Sequence, residues 1–284
     1  MGRMILTSIG NRAWQLAGLA SAVTLLLMAS TPDAGAAVKI IGGHKAQPGT
    51  WRYMAFVEHS AGAGYVDICS GTIVSSNVVL TAGHCAVNES TGRTLPATTF
   101  RVHTGSVNWT AGRVNRVSRV IVDPSYDADR GTSDAALLVL AAPVASPRVR
   151  LAAASDRSLE LPGTPAYIVG WGDTVNGQAA LTEVLRWAPT VVQRQGYCAA
   201  HAGFPFVYTS AVNLCVLDYP YDDTATCSGD SGGPLIAYDS ANRPVEIGVT
   251  SYGQANCGTH SPSVFATVRP LRPWVQGWIN AVAP

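Results

Sequence analysis

Short apolar runs, broken by turn-forming residues, recur from about residue 53 to residue 268 and confine this chain to strand-rich architectures. Gly71-Thr72-Ile73-Val74 and Val78-Val79-Leu80-Thr81 flank Ser75-Ser76-Asn77, which reads as a hairpin turn. Further strands are expected near 100–103, 114–122 and 135–140. Beyond a connector at 147–162 they are expected at 166–171, 181–192, 212–217, 234–238, 246–252 and 264–268. Charged residues make up only 13% of the chain and glycine is plentiful, which suits many strands joined by tight turns. Strands so spaced, with little helix between them, point to closed antiparallel barrels. The C-terminus differs. Behind Pro273, the residues Trp274, Val275, Trp278, Ile279 and Val282 recur at helical spacing and predict a terminal helix over 273–282, packed on the second strand set. A formal net charge of +1 gives no reason to expect a nucleic-acid partner.

The chemistry centres on Gly229-Asp230-Ser231-Gly232-Gly233-Pro234. A serine becomes a nucleophile when a base takes its proton. Glycines around it permit tight turns and close approach of a substrate to the backbone, and free N–H groups there can hold an oxyanion. Read alone, the run could equally be a glycine-rich hairpin with a solvated serine. A base is at hand in Leu80-Thr81-Ala82-Gly83-His84-Cys85, at the end of an apolar strand. Asp134, leading Ala135 to Leu140, can orient a histidine, although alone it would read as a strand cap. The order His84, Asp134, Ser231 differs from the Ser, Asp, His order of the α/β-hydrolases.

From Ile40 to the C-terminus the sequence resembles the secreted serine proteases of the trypsin/chymotrypsin type. The matching motifs are Ile40-Ile41-Gly42-Gly43, the histidine box, the Asp134 strand, Gly170-Trp171-Gly172, the serine box and Ser251-Tyr252-Gly253. The resemblance implies an all-β, chymotrypsin-like fold of two antiparallel six-stranded β-barrels, about 53–145 and about 163–269, with a C-terminal α-helix. The two halves show no legible internal repeat, so the double barrel rests on the resemblance. It implies a serine endopeptidase working through an acyl-enzyme, with His84, Asp134 and Ser231 as triad and the N–H groups of Gly229 and Ser231 as oxyanion hole. Ser251 would support Asp134. The backbone of Ser251, Tyr252 and Gly253 would pair with the substrate, which Ser228 would also contact. Six cysteines allow fifteen pairings, from which the resemblance selects Cys69–Cys85, Cys198–Cys215 and Cys227–Cys257. Zinc is the competing reading of the cysteines, but no C-x-x-C pair is present.

Residues 1–36 read as a secretory signal peptide: Arg3 and Arg12, then a mostly apolar stretch, then Ala34-Gly35-Ala36. The alternative is an uncleaved anchor. Residues 37–39 then form a short activation propeptide, and 40–284 the protease domain. In the resembled family, a cut after the basic residue, here Lys39, frees the amine of Ile40 to pair with the acid before the serine, here Asp230.

The specificity pocket departs from trypsin. Ala225 occupies the place of trypsin's aspartate, Thr226 adjoins it, and Ser263 stands where glycine is common. A buried Arg or Lys would lack a counter-ion there. The expected P1 residue is uncharged, apolar and small to medium, and activation then needs a separate protease in trans. Basic P1 specificity would follow instead if Asp222 or Asp223 reached the pocket. The other classes kept open are a catalytically silent protease-like binding module and an esterase using the same triad. The expected partners are polypeptide substrates and proteinaceous inhibitors. The expected protein is a secreted monomer with no stable membrane association, no cofactor and no metal requirement.

Overall fold

The computed structural model describes residues 40–62, 65–174, 182–202, 206–218, 220–254 and 256–283. The predicted signal segment 1–36 and the 37–39 propeptide with Lys39 lie outside these residues, as does Leu181 at the start of one expected strand.

A two-residue strand β1 (His44–Lys45) precedes β2 (Met54–Gly62), β3 (Tyr65–Ser75), β4 (Val78–Thr81), β5 (Phe100–Thr104), β6 (Arg113–Val122) and β7 (Ala136–Leu140). These six longer strands close an antiparallel barrel in the order β2-β3-β4-β7-β6-β5. A short strand β8 (Arg150–Leu151) lies in the connector. Then come β9 (Pro165–Gly170), β10 (Arg186–Val192), β11 (Asn213–Leu217), β12 (Pro234–Tyr238), β13 (Pro244–Tyr252) and β14 (Ser263–Thr267). The path β10-β11-β14-β13-β12-β9 returns to β10 through a β9–β10 ladder, so a second six-stranded barrel closes. β1 hangs on β10, and β8 adds to β13 as a parallel pair. The fold is the one expected.

Both barrels are filled by apolar side chains, Phe56, Leu80, Phe100 and Leu137 in the first and Ile168, Leu235, Val249 and Phe265 in the second. Closure of each sheet removes the free edges an open sheet would expose. The barrels meet through β3. Its Ser70 N–H donates to the carbonyl of Ser231 at 2.7 Å, and its Thr72 hydroxyl donates to Glu246 Oε2 on β13 at 2.7 Å. The catalytic motifs of both halves thereby arrive at one seam.

Two helical features differ from expectation. A helix α1 (Gln195–His201) lies between β10 and β11, where the sequence offered no clear period. The terminal helix α2 (Val268–Ala281) begins five residues before the predicted 273. Val268, Leu271 and Val275 form its buried stripe, which fixes the earlier start. Pro270 takes the first-turn role, where no intrahelical N–H bond is lost, and Pro273 falls inside the helix. The far end of α2 reaches the first barrel as well as the second: Asn77 Nδ2 donates to the carbonyl of Val282 at 2.7 Å, and the Arg119 guanidinium lies 5.9 Å from the Trp278 ring. Among the described residues no helix is long and apolar enough to cross a membrane.

Candidate active site

His84 opens a single 3₁₀ turn after β4, and Asp134 stands two residues before the start of β7. The antiparallel β4–β7 ladder, with Thr81 opposite Ala136, brings the two together. One carboxylate holds the histidine twice: Asp134 Oδ1 accepts the His84 backbone N–H and Oδ2 meets His84 Nδ1, both at 2.8 Å. From the second barrel, the Ser251 hydroxyl donates to the same Oδ2 at 2.5 Å. Asp134 is only 2% exposed. Burial alone would raise its pKa, but the His84 charge and the hydrogen bonds from His84 and Ser251 outweigh it, and the group stays below its ordinary value. His84 moves the other way. Burial pushes it down, while Asp134 and, more weakly, Glu89 push it up, and the net direction is upward.

Ser231 lies in the tight loop before β12. The loop is fastened to β3, since Ser70 donates from its hydroxyl to the Gly229 carbonyl at 3.0 Å and from its N–H to the Ser231 carbonyl. Gly232 has φ +80°, and a Cβ there would lie 2.2 Å from Thr81 Oγ1, so only glycine fits. Among the described residues, neither the Gly229 N–H nor the Ser231 N–H has a protein acceptor. Both are available to a developing oxyanion. Ser231, Gly229, Ser228 and His84 line one cleft of about 870 Å³.

Asp230 points away from that cleft and is 1% exposed. It accepts N–H bonds from Gly172 at 2.8 Å and Cys227 at 2.9 Å. No cation pairs with it among the described residues. Burial pushes its pKa up to about 7 despite the two N–H donors. Ile40, the predicted partner, is fully buried, and the next residue, Ile41, bridges to Ala225 through an Ala225 N–H to Ile41 carbonyl bond of 3.1 Å.

At the predicted pocket, Ala225, Thr226 and Ser263 are all buried. The Thr226 N–H and hydroxyl both donate to Ser263 Oγ, at 3.1 and 2.9 Å, which ties the floor to the wall. Tyr252 packs against Phe206 with ring centroids 4.7 Å apart, and a Cβ on Gly253 would meet nothing within 4 Å. Asp223 is exposed, and Asp222 Oδ2 faces His260 Nδ1 at 3.6 Å.

The disulfides are Cys69–Cys85, Cys198–Cys215 and Cys227–Cys257. Three such bridges fit an oxidising, extracellular setting. Cys69, His84 and Cys85 lie close enough together to suggest a metal, but the two sulfurs form a disulfide, and a metal ligand must be a thiolate. Sequence reasoning missed several residues that build the site. Ser70 anchors the serine loop. Gly170 and Gly172 cradle Asp230, since a Cβ on either would lie within 2.2 to 2.5 Å of its carboxylate. The only sequence signal for the pair was the Gly170-Trp171-Gly172 motif.

Comparison with known proteins agrees with this geometry. The family model named Trypsin matches residues 40–275. The chain is 34% identical to mast cell protease 3 of Ovis aries over 256 residues, covering 89% of this chain and 94% of that protein. It is 32% identical to cathepsin G of Mus musculus over 255 residues, 87% of each chain, and 33% identical to a trypsin of Saccharopolyspora erythraea over 223 residues, 76% of this chain and 88% of that one. The chain belongs to the trypsin family of serine proteases, whose members are serine endopeptidases acting on polypeptides.

Proposed function

We propose that this endopeptidase is secreted as a monomeric zymogen, is cleaved after Lys39 by another protease, and cuts polypeptides after uncharged, small-to-medium apolar residues. Ser231, His84 and Asp134 form its triad. The observation that carries this reading is the continuous chain from Ser251 through Asp134 to His84, ending in the cleft that also holds Ser231.

In this mechanism Ser231 Oγ attacks the scissile carbonyl carbon while His84 Nε2 takes the hydroxyl proton. The Nδ1–H bond to Asp134 fixes the tautomer that leaves Nε2 free, and the buried carboxylate stabilises the imidazolium. The carbonyl oxygen becomes an alkoxide facing the Gly229 and Ser231 N–H groups, a contribution of about 3–4 kcal/mol where one such donor has been removed. His84 returns the proton to the leaving nitrogen, the C–N bond breaks, and an acyl-enzyme remains. Water then repeats the two steps, with proteinaceous inhibitors stalling at the same groups.

The pocket reading rests on Ala225, Thr226 and Ser263. The Thr226 N–H and hydroxyl are committed to Ser263 Oγ, and none of the three residues carries a carboxylate, so the floor supplies no counter-ion to a charged P1 side chain. Activation rests on Asp230. A buried carboxylate calls for a cation, and the freed Ile40 amine would supply one.

The test is P1 profiling. The precursor is cut at Lys39 by an outside protease, which is then removed, and a peptide library varied at P1 is offered. Preference for uncharged aliphatic P1 is expected. Preference for Arg or Lys would mean that Asp222 or Asp223 serves the pocket. No cleavage, with Ile40 verified as the new N-terminus, would favour a silent binding module.

A further inference from the structure

The cleft around Ser231 is lopsided. Its walls include Ser228, Gly229 and the Cys69–Cys85 disulfide, but not Thr226 or Ser263, nor Ser251 or Tyr252. The residues left out form the side that, under the reading above, holds the acyl half of the substrate. The cleft volume therefore lies on the other side of Ser231, where the departing amine and the residues behind it must run.

That side is acidic. Asp67, Glu89 and Asp173 line it, and no Lys or Arg stands among the described lining residues. The histidines do not offset them. Above its raised pKa, where it can act as a base, His84 is neutral at rest. His59 is 8% exposed, with Nε2 3.5 Å from Asp67 Oδ2, and burial holds its pKa below the ordinary value against the pull of Asp67. His59 Nδ1 has no hydrogen-bond partner among the described residues, so this wall contains a buried polar atom left unmatched as well as negative charge. The carboxylates also differ in reach. Glu89 lines the cleft together with His84, on the wall nearest the first residue to leave. Asp67 stands on β3 two residues before Cys69, roughly 7 Å along the strand, and serves a residue further out.

We propose that the enzyme selects polypeptides carrying Lys or Arg within the first three residues after the scissile bond, through Glu89 and Asp67. This rests on the catalytic reading above. A cleft lined by one sign of charge focuses its field on an incoming cation. Each basic residue should raise kcat/KM about 2- to 5-fold, as a half-exposed ion pair supports, and the gain should shrink as salt screens it.

The experiment uses the activated enzyme and quenched-fluorescence peptides with one fixed acyl half. The residues after the scissile bond carry Lys, Ala or Glu at each of three positions, at low and high salt. Expected is the order Lys over Ala over Glu, compressed by salt. The Lys-to-Ala ratio should fall toward unity in Glu89→Gln and Asp67→Asn, and the Glu89→Lys enzyme should turn the order toward Glu. A flat profile in the unmodified enzyme, or a ratio unchanged in all three variants, would overturn the proposal while leaving the triad reading intact. Failure to cleave even the Ala peptides would overturn both.

Discussion

Asp134 and Asp230 are equally hidden, yet their surroundings drive them in opposite directions. Asp134 receives two contacts from His84 and one from Ser251, and is held below its ordinary pKa. Asp230 receives two backbone N–H groups and no cation among the described residues, and burial lifts it to about 7. The N–H bonds on Asp230 are as short as those on Asp134, so hydrogen bonding alone does not separate them. What separates them is a chargeable partner. The first-barrel half of the site carries its own counter-ion, and the second-barrel half has none among the described residues.

The sharpest way to break this comparison is Asp134→Asn, which keeps the shape and removes the charge. The amide's NH₂ would face Nδ1 and favour the tautomer with its proton on Nε2, where the mechanism needs an acceptor. In the family's prototype this change lowers kcat roughly 10⁴-fold, and the same order is expected here. A pH–rate profile gives an independent reading. Activity needs neutral His84, so with the pKa of His84 raised it should fall as pH drops through that raised value. Without the Asp134 charge the acid limb should move to lower pH. A variant with normal kcat and an unmoved limb would mean that Asp134 is only a strand cap.

The second region is tested by supplying or withholding its cation. A Lys39→Gln precursor that resists trypsin should be about 10²–10⁴-fold less active than the cleaved enzyme, the scale set by an unpaired buried charge of about 3–5 kcal/mol. On the proposed activation, the freed Ile40 amine would gain Asp230 as a partner, which would raise its pKa above about 8. Activity should then be lost as pH climbs through that raised value. Full activity in the uncut variant would show that Asp230 needs no cation, and the contrast with Asp134 would disappear.

The sequence made one level of this organisation legible and hid another. Strands could be read because apolar runs end at turn residues, as at Ser76-Asn77 between β3 and β4. Barrel closure could not, because no local pattern says that β9 pairs with both β10 and β12. The proposed nucleophile, base and acid stand in short motifs that a linear reading can single out. Ser70 did not, because its bond to Gly229 joins residues 159 apart. The glycines that cradle Asp230 belong to a contact 58 residues away, at Gly172. Such roles are properties of the seam between barrels, and a linear pattern carries no trace of a seam. α1 escaped notice for a different reason: seven residues anchored by Cys198 give too short a period to read.

Glu246 extends the comparison to a third buried carboxylate, and to its smallest expected effect at neutral pH. It sits on β13, buried almost along its whole length, and is itself 0% exposed. Thr72 donates to Oε2, whereas Oε1 and the buried Tyr53 hydroxyl lack partners among the described residues. With one neutral donor and no cation, burial raises Glu246 from 4.5 to about 8, as burial also raises Asp230. The carboxyl is therefore protonated in the folded protein at neutral pH and ionised in the unfolded chain. Its folded pKa lies above its unfolded one, so its contribution to stability is complete below 4.5 and is lost as pH rises toward 8, at roughly 1.4 kcal/mol per unit. Glu246→Gln keeps the acceptor for Thr72 and cannot ionise. Denaturant melts from pH 5 to pH 9 should show the unmodified protein losing a few kcal/mol relative to this variant across that window, with the variant the more stable at the alkaline end. Parallel curves would mean that Glu246 ionises in place without cost, and that a buried carboxylate between these barrels needs no chargeable partner after all.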